Sequence, residues 1–173
     1  MSKEELDMSN QENVFETILA PMTGTAVAIT EVPDPIFIEK ILGDGVAIVP
    51  TEGKVVSPVD GTVSKVAETG HIYAVTSDNG VEVVIHVGLE TVALNGKCFQ
   101  IHVKEGDKVK AGDLLADADL EFIKETGRNR SSSVQALKGK SLYVKKEKFR
   151  LEKQLLWKLS RNKKSEDIVP ESV

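Results

Sequence analysis

Residues 81–92 read Val-Glu-Val-Val-Ile-His-Val-Gly-Leu-Glu-Thr-Val, and the rest of the chain can be interpreted from this run. Successive strand residues point to opposite faces, so the apolar residues at 81, 83, 85 and 87 share one face. Glu82, Val84 and His86 share the other. The pattern predicts a strand with one side in the core and an imidazole on the opposite side, just before Gly88 ends the run.

A second strand-like run precedes it, at residues 72–76. The two runs are separated by Ser-Asp-Asn-Gly at 77–80, and Asp, Asn and Gly are typical of hairpin turns. A hairpin could bring His71 near His86, although the spacing does not determine the register. Further short runs lie at 25–30, 45–49, 61–66 and 99–103. This regular spacing predicts an all-β barrel or sandwich.

Composition limits the possible classes of protein. The chain has 173 residues, 40% of them hydrophobic, which suits one well-buried core. The single Cys98 excludes an internal disulfide and is compatible with a reducing cytoplasm. The acidic start shows no secretory signal, and no apolar stretch is long enough to span a bilayer. We therefore expect a cytoplasmic protein.

Several motifs occur in an order that resembles the glucose-family enzyme IIA of the bacterial phosphoenolpyruvate-dependent sugar phosphotransferase system. The resemblance covers roughly residues 18–125. The motifs are Val32-Pro33-Asp34-Pro35, Gly43-Asp44-Gly45, Ser57-Pro58-Val59-Asp60-Gly61, Thr69-Gly70-His71, Ser77-Asp78-Asn79-Gly80 and His86-Val87-Gly88-Leu89-Glu90-Thr91-Val92. The resemblance implies an all-β barrel-sandwich, the duplicated hybrid motif, built from related half-units.

The resemblance also implies a phosphocarrier and its catalytic residues. His86 would accept a phosphoryl group from the carrier protein HPr and pass it to a cysteine of an enzyme IIB domain, for sugar uptake through an enzyme IIB/IIC permease. His71 would donate a hydrogen bond to the phosphoryl oxygens, and Thr69 would orient His71. A neutral imidazole suits this chemistry because it keeps an unprotonated nitrogen near neutral pH.

The family's partner surface is an apolar ring around the histidines, for which the candidates are Phe37, Val46 and Ile85. Asp34 and Glu90 would lie at the rim of the site, or act as turn or capping residues instead. No cofactor is implied, and zinc could bind His71 and His86 only adventitiously. His102 matches no site of the family.

Other functions are open to the same residues. A biotinyl- or lipoyl-type carrier needs a lysine at an exposed hairpin tip, and the turn at 77–80 has none. A zinc peptidase of related fold needs a His-x-His pair, which His86-Val87-Gly88 does not provide. A non-catalytic regulatory or binding module of the same fold is the remaining alternative.

The resemblance ends near Glu125, where the family's last strands have no visible counterpart. Residues 1–127 hold 9 basic and 22 acidic residues, whereas residues 128–173 hold 13 and 5. We therefore divide the chain into a mobile arm (1–14), an enzyme IIA domain (15–125) and a divergent basic tail (126–173).

The apolar residues of the tail suggest a helix. Val144, Leu151, Leu155 and Leu159 would share one helical face among many Lys and Arg residues. A basic amphipathic helix could associate weakly with a membrane surface. The alternative is a by-product of a shifted reading frame near residues 126–130.

Overall fold

The computed structural model describes residues 15–41, 44–126, 133–138, 142–145, 150–151 and 154–161. The strands of the first half are β1 (Phe15–Leu19), β2 (Gly24–Ala28), β3 (Asp44–Pro50), β4 (Lys54–Val56), β5 (Gly61–Val66), β6 (Ile72–Ser77) and β7 (Glu82–Val87). Those of the second half are β8 (Phe99–Ile101), β9 (Lys108–Val109), β10 (Leu114–Ala118), β11 (Ser133–Lys138), β12 (Leu142–Lys145), β13 (Arg150–Leu151) and β14 (Gln154–Arg161). The helices are α1 (Pro35–Ile38) and α2 (Leu120–Glu125), with 3₁₀ turns at Ile29–Glu31 and Thr91–Leu94.

Within the described residues the strands form three sheets. The largest has seven strands in the order β2-β3-β11-β7-β6-β5-β9, and a second has the order β4-β10-β8. The third contains β1, β14 and β12, with β13 paired to β14. All pairs are antiparallel. The predicted all-β fold is therefore confirmed.

Strand β7 has the predicted alternation. Val83, Ile85 and Val87 are at most 1% exposed and belong to the main hydrophobic cluster, whereas Glu82, Val84 and His86 are half-buried. Burying a side chain of this size contributes about 1.5–3 kcal/mol relative to leaving it exposed. The apolar face of β7 thus anchors the strand and leaves its other face for the site.

The β6–β7 hairpin determines how the two histidines are placed. In the turn, the Ser77 amide donates to the Val81 carbonyl at 2.8 Å, and the Val81 amide donates to Ser77 Oγ at 3.0 Å. The resulting register sets Ile72 opposite His86. His71 therefore comes just before the strand that pairs with His86, and the predicted proximity is confirmed.

The end of the chain differs from its prediction. Strand β11 lies between β3 and β7, with Val134 opposite both Ala47 and His86, so the large sheet has a strand where no counterpart was expected. Residues 142–145, 150–151 and 154–161 are strands, so the helical prediction is wrong for them. The division at residue 125 stays a prediction.

The reason for the error is that Leu151, Leu155 and Leu159 are four residues apart, a spacing that fits a helix and also one face of a strand. Strand β1 offers its edge to β14, with Ile18 opposite Trp157. A strand can satisfy that edge whereas a helix cannot. Association with a membrane surface stays a prediction, now without the helix that suggested it. The predicted arm at residues 1–14 lies outside the described residues.

Among the described residues, no helix is long and apolar enough to cross a membrane. Helix α2, which was not predicted, begins at Asp119, whose side chain accepts a hydrogen bond from the Phe122 amide at 2.9 Å. Such a cap satisfies one of the amides that a helix leaves unpaired at its start.

Candidate active site

His86 is half-buried on the outer face of β7. Its pKa is lowered to about 4, first by desolvation on burial and then by the neighbouring His71. The charge of Asp34 and the backbone of Gly88 act in the opposite direction. The ring is therefore neutral near pH 7, and one of its nitrogens carries a free lone pair.

His71 faces His86 edge-on. The ring centroids are 5.4 Å apart and the ring planes meet at 85°. Thr69 Oγ1 lies 2.5 Å from Nδ1 of His71, and burial lowers the pKa of His71. The carbonyl of His71 also accepts a 2.7 Å hydrogen bond from the amide of Val87. Both the side chain and the backbone of His71 are thus held against the strand that carries His86.

The turn before His71 depends on a glycine. Gly70 has a φ of +70°, and its amide donates to the Ala67 carbonyl at 2.8 Å. A Cβ at this position would lie 2.8 Å from Cβ of Phe99 and 3.2 Å from Cγ1 of Ile101. The segment carrying Thr69 and His71 therefore packs closely on strand β8, which any larger residue would push away.

Phe37 forms another side of the site. Its ring centroid is 5.3 Å from that of His86, with the planes at 71°, and the side chain is only 2% exposed. Helix α1 presents it there, beginning at Asp34, whose Oδ1 accepts from the Ile36 amide at 2.9 Å. Asp34 therefore acts as a helix cap and also influences the charge of His86, so the two expected roles coincide. Phe37 supports the imidazole from within rather than presenting a surface.

The remaining candidates for partner contact need correction. Ile85 is fully buried and Val46 is 8% exposed, and both belong to the main core cluster. They lie on the core-facing side of their strands, so neither is available to a partner. Glu90 is exposed and has a φ of +56°, and its side chain caps nothing in the 3₁₀ turn that it precedes.

Sequence reasoning missed the exposed apolar residues beside the site. Ile36 and Ile38 are each 44% exposed on either side of Phe37, and Val92 is 50% exposed in the turn after Gly88. The signal was present in α1, where Pro-Ile-Phe-Ile is apolar on every side. A helix that is apolar all round cannot bury every side chain against one sheet. Exposed apolar residues next to a functional site commonly mark an interaction surface.

The third histidine lies outside this group. Nε2 of His102 is 2.7 Å from Oδ2 of Asp117, across strands β8 and β10 of the second sheet. In the part of the chain that the structure describes, no set of three or more His, Cys, Asp and Glu side chains is arranged to hold a metal ion. Adventitious zinc at His71 and His86 stays a prediction.

The arrangement suits transfer of an electrophilic group. A neutral imidazole offers a nucleophilic nitrogen, and a second imidazole beside it can donate a hydrogen bond to the incoming group. The apolar residues around them limit access of water, which strengthens such hydrogen bonds.

Comparison with known proteins agrees with this chemistry. A family model described as phosphoenolpyruvate-dependent sugar phosphotransferase system, EIIA 1, matches residues 16–141. A glucose-specific EIIA component of Bacillus cereus is 54% identical over 114 residues, which are 66% of this chain and 69% of that protein. A glucose-specific EIICBA component of Streptococcus pneumoniae is 44% identical over 131 residues, 76% of this chain and 18% of that protein.

A solved structure is also similar. The glucose permease IIA from Mycoplasma capricolum is 33% identical, with a TM-score of 0.71. The alignment covers 84% of this chain and 96% of that one, so the likeness extends over the whole of the solved domain.

Proposed function

The chain belongs to the EIIA 1 family of the phosphoenolpyruvate-dependent sugar phosphotransferase system, and from that membership we propose that His86 is its phosphoryl acceptor. The protein is a phosphotransferase of this system, and it works with a sugar-transporting partner of the same system. The observation that carries the assignment of His86 is the edge-on pair of imidazoles, with centroids 5.4 Å apart.

The acceptor nitrogen is Nε2. Nδ1 of His86 is buried and has no aligned partner among the described residues, while the Gly88 backbone nearby favours a proton on the ring. With the proton on Nδ1, the lone pair of Nε2 attacks phosphorus. The donor is a phosphohistidine protonated on its other ring nitrogen. Its N–P bond breaks, the electron pair stays with the donor ring, and a neutral imidazole leaves. His86 becomes a phosphorylated imidazolium with its proton on Nδ1.

His71 stabilises the charge on the transferring group. If the Thr69 hydroxyl donates to Nδ1 of His71, at 2.5 Å, the proton of this neutral ring lies on Nε2. That N–H can then donate to a phosphoryl oxygen, and a preorganised donor of this kind lowers the barrier to transfer. Thr69 thus selects the tautomer of His71.

The donor in this proposal is HPr, and the next acceptor is a cysteine of an enzyme IIB domain. The exposed Ile36, Ile38 and Val92 border the site and provide an apolar surface that both partners could use in turn. The EIICBA relative, of which this chain matches 18%, supports a partnership with B and C components. The two glucose-specific relatives favour glucose as the sugar.

The test is incubation of the full chain with phosphoenolpyruvate, enzyme I and HPr, followed by intact mass and acid lability of the product. We expect one acid-labile phosphoryl group on the parent and none on His86→Ala. His102→Ala is the matched control, because His102 lies on the second sheet, and it should be phosphorylated normally. Normal incorporation by His86→Ala would refute the assignment.

A further inference from the structure

The backbone turns sharply directly after His86. Gly88 has a φ of +74°, a conformation that favours glycine. A Cβ on Gly88 would lie 2.3 Å from Cγ2 of Thr91, so the methyl group of Thr91 fills the space that a side chain would need. Gly88 and Thr91 therefore fit each other at van der Waals distance, three residues apart.

Thr91 also binds this turn through its hydroxyl. The side chain is fully buried, and Oγ1 donates to the Val87 carbonyl at 2.5 Å. The Gly88 carbonyl lies 3.4 Å from the same oxygen. A buried hydroxyl that lost these acceptors would carry a desolvation cost, so the contact holds the turn in one arrangement. Thr91 thereby fixes two consecutive carbonyls beside His86 with one side chain.

The position of the Gly88 backbone matters to the imidazole. Nδ1 of His86 is buried, and no described residue gives it an aligned hydrogen bond. The backbone of Gly88 is the nearby group that favours a proton on the ring. A small rotation of the Gly88 peptide would strengthen or remove that support, and the proton could then move to the other nitrogen. Which ring nitrogen of a histidine is protonated is set by the partner of the other.

We propose that Thr91 is a positioning residue that holds the Gly88 carbonyl towards Nδ1 of His86 and so keeps the Nε2 lone pair free. The consequence for transfer rests on the proposed role of His86 as acceptor. The effect on the tautomer does not, because it exists in the protein before any phosphoryl group arrives.

The tautomer can be observed directly by ¹H–¹⁵N NMR of the full chain labelled in histidine, with the His86 signals identified by their loss in His86→Gln. In the parent we expect His86 to carry its proton on Nδ1. Thr91→Val, which keeps the shape but removes the hydroxyl, should move His86 towards the Nε2–H form. Thr91→Ser keeps the hydroxyl and should retain the parent tautomer. His102 is the internal control and should not change.

The rate of phosphorylation by phospho-HPr gives the second measurement. For Thr91→Val we expect a loss of about tenfold in kcat with little change in KM, the scale on which removing groups that orient a functional histidine acts. Thr91→Ser should stay within about threefold of the parent. A parent with Nε2–H on His86, or a Thr91→Val variant with the parent tautomer and rate, would overturn the proposal.

A second pair of variants covers the case in which Thr91→Val does not fold. Gly88→Ala should disturb the His86 tautomer because its Cβ meets the Thr91 methyl, and adding Thr91→Ser should restore it by removing that methyl. If the double variant is no closer to the parent than Gly88→Ala, the fit between the two residues does not control His86. Phosphate found on a residue other than His86 would defeat the proposed function, whereas the NMR comparison would still decide the role of Thr91.

Discussion

The amide of Val87 donates a 2.7 Å hydrogen bond to the carbonyl of His71. This bond joins the residue after one histidine to the backbone of the other, at the point where β6 and β7 begin to pair. The separation of the two imidazoles is therefore set by the ladder of the sheet. Small displacements of the turn before His71 should be felt directly in the site.

Replacing Gly70 by alanine tests that dependence. Gly70→Ala puts a Cβ 2.8 Å from Phe99, at a φ of +70°. Gly106→Ala is the matched control, since its φ is +92° but nothing lies within 4 Å of its Cβ. Both variants carry backbone strain of about 1 kcal/mol, and overpacking adds about 1–3 kcal/mol to Gly70→Ala alone. Urea denaturation measures the stabilities, and phosphorylation assays should show slower transfer only for Gly70→Ala. Equal stabilities would show that the turn has room to adjust.

His71→Gln should still accept phosphate from HPr but pass it poorly to enzyme IIB. The nucleophile is intact, whereas the ring nitrogen that Thr69 orients at 2.5 Å is lost. Single-turnover assays of each half-reaction separate the two steps. Equal rates of onward transfer in variant and parent would exclude His71 from the mechanism.

Stability should fall on acidification between about pH 6.5 and pH 4, partly because of His86. Its pKa is about 4 in the folded protein against 6.5 for an unperturbed histidine, so the unfolded chain takes up the proton first. The stability that this group contributes is fully present above pH 6.5 and is lost as pH falls towards 4. By linkage the difference corresponds to at most about 3 kcal/mol.

Denaturation of the parent and of His86→Gln across this pH range isolates the contribution. Carboxylates titrate in both proteins, so only the difference between the two curves reports on His86. We expect the parent to lose more stability than the variant. Parallel curves would mean that the imidazole titrates normally in the fold.

Ile38→Ser should weaken transfer between partners without affecting the fold. Ile38 is 44% exposed beside Phe37, and a half-exposed side chain contributes little to the core. Leu114→Ser is the matched control, because Leu114 is 37% exposed on β10 of the other sheet. For Ile38→Ser we expect KM for phospho-HPr to rise by about three- to tenfold, consistent with the loss of one apolar contact. Identical KM values for the two variants would place the docking surface elsewhere.

The alternation of residues 81–87 and the turn at 77–80 were enough to predict the central hairpin and the proximity of His71 and His86. Those signals are local. The direction in which Ile85 and Phe37 point was harder, because a motif names a neighbourhood and does not say which side chains face outward. Ile85 follows the alternation inward, and Phe37 turns towards His86 because Asp34 starts a helix that faces the sheet. The alternation already contained the answer for Ile85.

The end of the chain was predicted less well for a different reason. A spacing of four fits both a helix and a strand, and the choice depends on whether a distant edge is available. Strands β3 and β7 each have an edge that only residues 133–138 fill among the described strands. Nothing in the local sequence around Val134 reveals that gap.

The position of β11 has a consequence for biosynthesis. The strand that carries His86 is complete at residue 87, yet its neighbour on one side begins at residue 133. A ribosome adds about 5–20 residues per second, so this edge stays open for several seconds while the intervening residues are made. During that interval β3 and β7 expose unpaired amides and carbonyls next to apolar side chains, the condition that favours wrong pairing between nascent chains. The catalytic strand thus depends on a late segment of the polypeptide for its protection, and cells that make this protein rapidly would be expected to rely on chaperones that cover strand edges.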